Sequence, residues 1–129
     1  MVGDKISNLI ISLKNASMIE KETITVSGYK LYASILDVLQ NKGFIDSYKA
    51  DKKTGEILVT LKYDENDVPA ISDVKRVSKL SKRVYKGSKE IFPVKNGYGT
   101  TVVSTPNGVI SDDEARKQNV GGELLFQIW

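Results

Sequence analysis

The sequence predicts an α+β fold of two small subdomains: an N-terminal α-β-α-β-β unit over residues 1–66 and a C-terminal, mostly β unit with one short helix over residues 67–129. Three observations predict it. Apolar residues recur at helical spacing in two early segments. They then alternate with period two through Ile57, Val59, Leu61 and Tyr63. Beyond a polar stretch at Asp64–Ala70, which contains Pro69, the chain becomes rich in β-branched residues and in Gly, Pro and Asn turn signals.

The elements follow in order. Asp4 is placed to cap a first helix whose apolar residues Ile6, Leu9, Ile10 and Leu13 share one face, ending near Ser17. Ile11 lies off that stripe and either meets a second surface or stays exposed. Thr23–Val26 reads as a short strand. Ser27 reads as the cap of a second helix with Leu31, Ile35, Val38 and Leu39 inward and Gly43 as its left-handed terminator. Phe44–Lys49 and Glu56–Tyr63 read as strands joined by the turn at residues 51–55. In the second half, Asp73–Ser78, Arg83–Tyr85 and Thr100–Ser104 are strand-like, and a turn at Pro106-Asn107-Gly108 precedes Val109 and Ile110. Ser111 and Glu114 form a capping box for a short helix that stops near Asn119. Gly121-Gly122 then breaks the chain before a last strand, Glu123–Trp129.

Composition narrows the chemistry. The 129 residues include no cysteine and no histidine. This removes disulfides, thiolate nucleophiles, Cys-ligated zinc and every dyad or triad that needs imidazole, so neither a metal nor another cofactor is expected. No apolar run approaches the ~18 residues of a membrane span, so no membrane partner is expected. Met1-Val2-Gly3-Asp4 lacks the basic-then-apolar pattern of a secretory signal. Net charge is +3, but Val74–Lys89 alone holds seven cations and no acid. The rest of the chain is therefore net negative. Such a patch suits a polyanionic partner, or a lysine-rich solvated surface.

Several motifs carry two readings each. Gly97-Tyr98-Gly99 lacks the third glycine of a dinucleotide loop and leads into a strand, so turn glycines explain it. Asp112-Asp113-Glu114 stands at a helix start, where the macrodipole stabilises negative charge without any catalytic role. Ser104-Thr105-Pro106-Asn107-Gly108 concentrates short hydrogen-bonding groups at a strand end, which suits either RNA contacts or an ordinary hairpin turn. Tyr85, between Arg83 and Lys86, is either a stacking platform for an unpaired base or a half-buried strand residue.

The run from Gly97 through Thr100-Thr101-Val102-Val103-Ser104-Thr105-Pro106-Asn107-Gly108 to Ile110 resembles the signature of the small-subunit ribosomal protein S-eight family, in its short bacterial or organellar form. Ala115-Arg116, Gly121-Gly122-Glu123-Leu124 and the terminal Trp129 follow in the family's order and spacing. Further matches are Asp4, Ile6, Lys14 and Asn15, then Lys30-Leu31, Gly43-Phe44-Ile45, Leu61-Lys62-Tyr63, Arg76-Val77-Ser78 and Arg83-Val84-Tyr85.

The resemblance implies a non-enzymatic structural constituent of the small ribosomal subunit. It would be a primary binder of 16S ribosomal RNA, clamping an internal-loop helix of the central domain and helping to assemble the platform of the 30S subunit. Implied partners are that RNA, neighbouring small-subunit proteins and, for a translational autorepressor, its own messenger RNA. The implied setting is the ribosome of the cytoplasm or of an organelle. Carried over by position, Ser104, Thr105, Asn107 and Gly108 form the reading turn, and Glu123 orients it or takes an RNA donor. Tyr85, Lys86 and Arg83 lie against the same RNA helix, while Lys30, Lys14 and Asn15 touch backbone elsewhere. The sequence departs from the family at Ile11-Ser12, where a cation is missing, at Leu80-Ser81, where Pro-Gly is common, and at Pro106, where serine is frequent.

Two competing readings make different demands. A free-standing RNA regulator would use the same surface without joining the subunit. A carboxylate-based hydrolase or transferase would need a concave cluster of acids with displaced pKa values, and the acids here are scattered.

Overall fold

A computed structural model describes residues 5–79 and 81–129, and the backbone alone for residues 29–31. Asp4 and Leu80 lie outside the described residues. Helix α1 (Lys5–Met18) is followed by β1 (Thr23–Ser27), α2 (Tyr29–Asn41), β2 (Ile45–Asp51) and β3 (Glu56–Leu61). After the polar segment come β4 (Val74–Arg76), β5 (Tyr85–Lys86), β6 (Thr100–Thr105), β7 (Gly108–Ser111), α3 (Asp112–Gln118) and β8 (Gly122–Ile128). The fold is α+β, as the patterning predicts.

The strands form two antiparallel sheets. One has the order β1-β3-β2; the other runs β4-β8-β6-β7, with β5 also paired to β8. A single large cluster joins both. Leu9, Ile10 and Leu13 of α1, Ile35, Leu36 and Leu39 of α2, Ile57, Val59 and Leu61 of β3, and Val102, Phe126 and Ile128 of the second sheet pack together. Each apolar side chain buried this way contributes about 1.5–3 kcal/mol. A smaller cluster of Ile91, Val103 and Ala115 lies under α3. Ile11 is half exposed, as its off-stripe position foretells.

Two buried α2 residues, Tyr32 and Leu36, extend the predicted stripe. The Tyr32 hydroxyl donates to the Lys5 carbonyl at 2.6 Å, and burial raises its pKa. Gly43 ends α2 at φ +81°, with its amide donating to Gln40 O and that of Phe44 to Leu39 O, the doubled bond that closes a helix through a left-handed residue.

Two expectations about caps are corrected. Ser27 does not cap α2; it remains in the β1 ladder opposite Glu56, and Gly28, at φ +118°, makes the entry instead. Nor do Ser111 and Glu114 form a capping box. The Ser111 hydroxyl turns to Asp113, and Glu114 accepts from Gln118. The competing demand comes from β6, whose Thr101 amide needs an acceptor and finds buried Asp112 Oδ1 at 3.2 Å. β3 also stops at Leu61. Tyr63 makes only an isolated bridge to Pro69 and donates its hydroxyl to Lys21 O.

Candidate nucleic-acid interface

The candidate site lies at the end of the second sheet where β5, β8 and β6 meet. Tyr85 pairs with Glu123, Glu123 with Ser104, and Ser104 with Val109. Directly paired residues share a face, so Tyr85, Glu123 and Ser104 stand in one row across three strands. Val102, two residues before Ser104 on the same face, is fully buried in the main core. The row therefore continues a core-facing surface past the edge of the core, where its polar members meet solvent.

Backbone contact brings these strands together. A Cβ on Gly122 would lie 2.1 Å from the Ser104 carbonyl oxygen, and one on Gly121 2.4 Å from the Lys86 carbonyl oxygen. No side chain fits in either place. Adjacent glycines that open a strand signal such close approach, beyond the chain break that their sequence first suggests.

Within the turn, Thr105 and Ser104 divide the work. Thr105 is buried; its hydroxyl donates to Gly108 O at 2.8 Å and accepts from the Asn107 amide at 3.1 Å. It holds the loop. Pro106 occupies the first loop position, which its fixed φ suits, and Gly108 returns the chain at φ +119°. The Ser104 hydroxyl has no hydrogen-bond partner among the described residues and remains partly exposed. Asn107 is exposed at the tip.

Glu123 is held in place. Its Oε2 lies 3.1 Å from Arg83 Nη1, and its side chain is only 13% exposed. Tyr85, by contrast, is 66% exposed, a large aromatic face left open beside a carboxylate-clamped arginine. Lys86 follows Tyr85 along β5 and so points to the opposite face. It is exposed and joins Lys75, Lys79, Lys82 and Lys89 in having no ion-pair partner among the described residues. Arg76 is the structural member of the basic run, donating to Ser7 Oγ on α1 at 2.5 Å and to Ser78 O. Ser78 is buried and exchanges hydrogen bonds with the Val84 backbone, closing the basic loop at its base.

Lys14 and Asn15 lie elsewhere, on α1. Lys14 Nζ is 2.8 Å from Asp73 Oδ1, and this hydrogen bond is the chief reason that the Asp73 carboxyl is held below the usual range. Asp73 sits at the Trp129 end of β8, roughly 20 Å of strand away from Glu123. Asn15 is exposed on α1 next to Lys14. Lys30 is the second residue of α2, and its side chain lies outside the described residues. The structure thus assembles Tyr85, Arg83, Ser104, Thr105, Asn107, Gly108 and Glu123 in one place, and sets Lys14 and Asn15 apart.

Sequence reasoning missed Phe92 and Tyr98, both strongly exposed, and Lys95, whose Nζ stands 4.8 Å over the Trp129 ring. Their exposure carries no period-two or helical signal. Among the described residues no group of three acids converges to hold a metal, and no helix is long and apolar enough to cross a membrane.

Comparison with known proteins concerns the chain as a whole. The family described as Ribosomal protein S8 matches residues 4–129. The chain is similar to the small ribosomal subunit protein uS8 of Wolinella succinogenes, with 50% identity over the full length of both chains. It is likewise similar to those of Campylobacter lari, at 47% over both full lengths, and Erythrobacter litoralis, at 44% over 98% of this chain and 97% of the relative.

Proposed function

This chain belongs to the ribosomal protein S8 family, a structural and non-enzymatic constituent of the small ribosomal subunit, and we propose that its strand-end row binds an internal-loop helix of the 16S ribosomal RNA central domain. One observation carries the proposal: the Ser104 hydroxyl has no partner among the described residues, while Glu123 beside it in the row is held by Arg83 and the hydroxyl of Thr105 next to it is committed to the turn. A short, preorganised hydroxyl of this kind reaches base edges in a widened, irregular groove that excludes long side chains. Glu123, clamped by Arg83, offers an acceptor to base or ribose donors. Tyr85 offers a stacking face, and the unpaired lysines supply sequence-independent attraction to phosphate. Positioning and discrimination are thereby separated.

Binding of this kind, made early and directly, would order the RNA for later proteins of the 30S platform. Repression of the chain's own messenger RNA would use the same row, so a messenger with the same irregular loop would compete with ribosomal RNA for it. Lys14 would add a backbone contact only where RNA displaces Asp73 from it.

Chemical probing of a central-domain fragment tests the proposal. Protection should centre on the internal loop and fade with Ser104→Ala. Protection spread evenly along regular duplex would refute loop recognition.

A further inference from the structure

The outer side of α1 and its turn into β1 differ in character from the RNA-facing row. Ile11, Met18 and Ile19 are 50%, 69% and 73% exposed. Ile11 and Met18 stand seven residues apart, on one face of α1. Ile19 lines an open groove of about 340 Å³ with Asn15, Ala16 and Ile24. Beside it, Glu20, Glu22, Tyr63 and Asp67 surround a second hollow, and Val68 adds another exposed apolar side chain. The hydrogen bond from Tyr63 to Lys21 O fixes the loop of residues 63–68 against the turn. Burial first, and the Glu20 carboxylate second, raise the Tyr63 pKa.

Charge decides what covers this surface. Residues 19–22 and 63–68 carry Glu20, Glu22, Asp64, Glu65 and Asp67 against the single cation Lys21. None of the five acids is in an ion pair among the described residues. RNA is repelled by such a rim. Contiguous exposed apolar side chains mark a protein interface, and an uncompensated acidic border selects a cationic partner.

We infer that the outer face of α1 with the Ile19–Glu22 turn docks a lysine- or arginine-rich segment of another small-subunit protein. Apolar side chains of that segment cover Met18 and Ile19, and its cations meet Glu20, Glu22 and Asp67. The inference rests on the chain's place in the small subunit.

A benzophenone side chain introduced at Met18, irradiated in reconstituted small subunits, tests it. The expected product is a cross-link to a Lys/Arg-rich peptide of another protein, reduced at least tenfold by Glu20→Lys with Glu22→Lys while incorporation and central-domain RNA binding stay unchanged. A cross-link to RNA would overturn the inference. So would a cross-link indifferent to the charge reversal, or the absence of one with Glu20 and Glu22 equally open to carbodiimide in free protein and subunit. If the chain fails to sediment with subunits at all, the premise falls and the inference with it.

Discussion

Gly55 closes the β2–β3 hairpin and Gly122 opens β8, and their surroundings differ sharply. An added Cβ at Gly55 would meet nothing within 4 Å, whereas at Gly122 it would strike the Ser104 backbone. The first glycine serves its own positive φ; the second serves a neighbouring strand. The N-terminal hairpin thus leaves room for a side chain at its turn, although the Gly55 carbonyl accepts from the Gly28 amide at 3.1 Å. The C-terminal sheet leaves none where Gly122 meets the Ser104 backbone. That closeness sets Ser104, Glu123 and Tyr85 in register, and a rigid row of polar groups discriminates between RNA shapes better than a mobile one.

The largest expected effect contrasts these two glycines directly. Gly122→Ala should cost about 3 kcal/mol of stability, the upper end for overpacking, and abolish loop-specific RNA binding. Gly55→Ala should cost only about 1 kcal/mol, from its left-handed φ. Urea unfolding of the two variants checks this, and equal midpoints would break the comparison.

Next come two buried or half-buried polar groups of the second sheet. Ser104→Ala should leave unfolding unchanged and lose about 1–3 kcal/mol of specific RNA affinity, the scale of a polar partner left unpaired. Asp112→Ala should do the reverse, leaving the Thr101 amide without its acceptor and Arg116 with only the Ile91 carbonyl among the described residues, at a similar cost in stability. Measuring affinity at matched salt and urea midpoints on both variants separates reading from scaffolding.

Smaller effects belong to the exposed charges. Lys86→Ala should weaken cognate and unrelated RNAs alike and reduce the salt slope by about one, as a phosphate contact does. Selective loss on the cognate RNA would assign Lys86 to base reading instead. Acid should act on the Lys14–Asp73 pair. The Asp73 pKa is lowered by Lys14, so its stabilisation is complete above the ordinary carboxylate range and is lost as pH falls through the lowered value. With no histidine in the chain, thermal stability should be flat between about pH 6 and 7.5, and a transition there would contradict this.

Much of this arrangement is legible in the sequence because the physics is local. The stripe through Leu9, Ile10 and Leu13, the alternation through Ile57, Val59 and Leu61, and the glycine stop at Gly43 depend on near neighbours, and all three appear as read. Caps were less legible. Ser111 has ideal cap chemistry, but Asp112 answers to Thr101, a residue brought close only by the β6–β7 hairpin. For the site, the family resemblance named Ser104, Thr105, Asn107 and Glu123 together. It did not separate the committed hydroxyl of Thr105 from the open one of Ser104, because both are small, polar and adjacent. That distinction rests on strand alternation and on who accepts from whom across the turn. The five unpaired acids of residues 19–22 and 63–68 are not legible as one cluster for a similar reason, since forty positions of chain lie between the two groups that Tyr63 ties together.

The most direct test of loop reading by the strand-end row is a salt titration of binding to the central-domain RNA fragment, run beside the same fragment with its internal loop repaired to regular duplex. The account predicts tight binding to the looped RNA that collapses on repair, with the residual duplex binding steeply salt-dependent. Equal affinity for both RNAs at every salt concentration would contradict it, reducing the surface to a basic patch without discrimination.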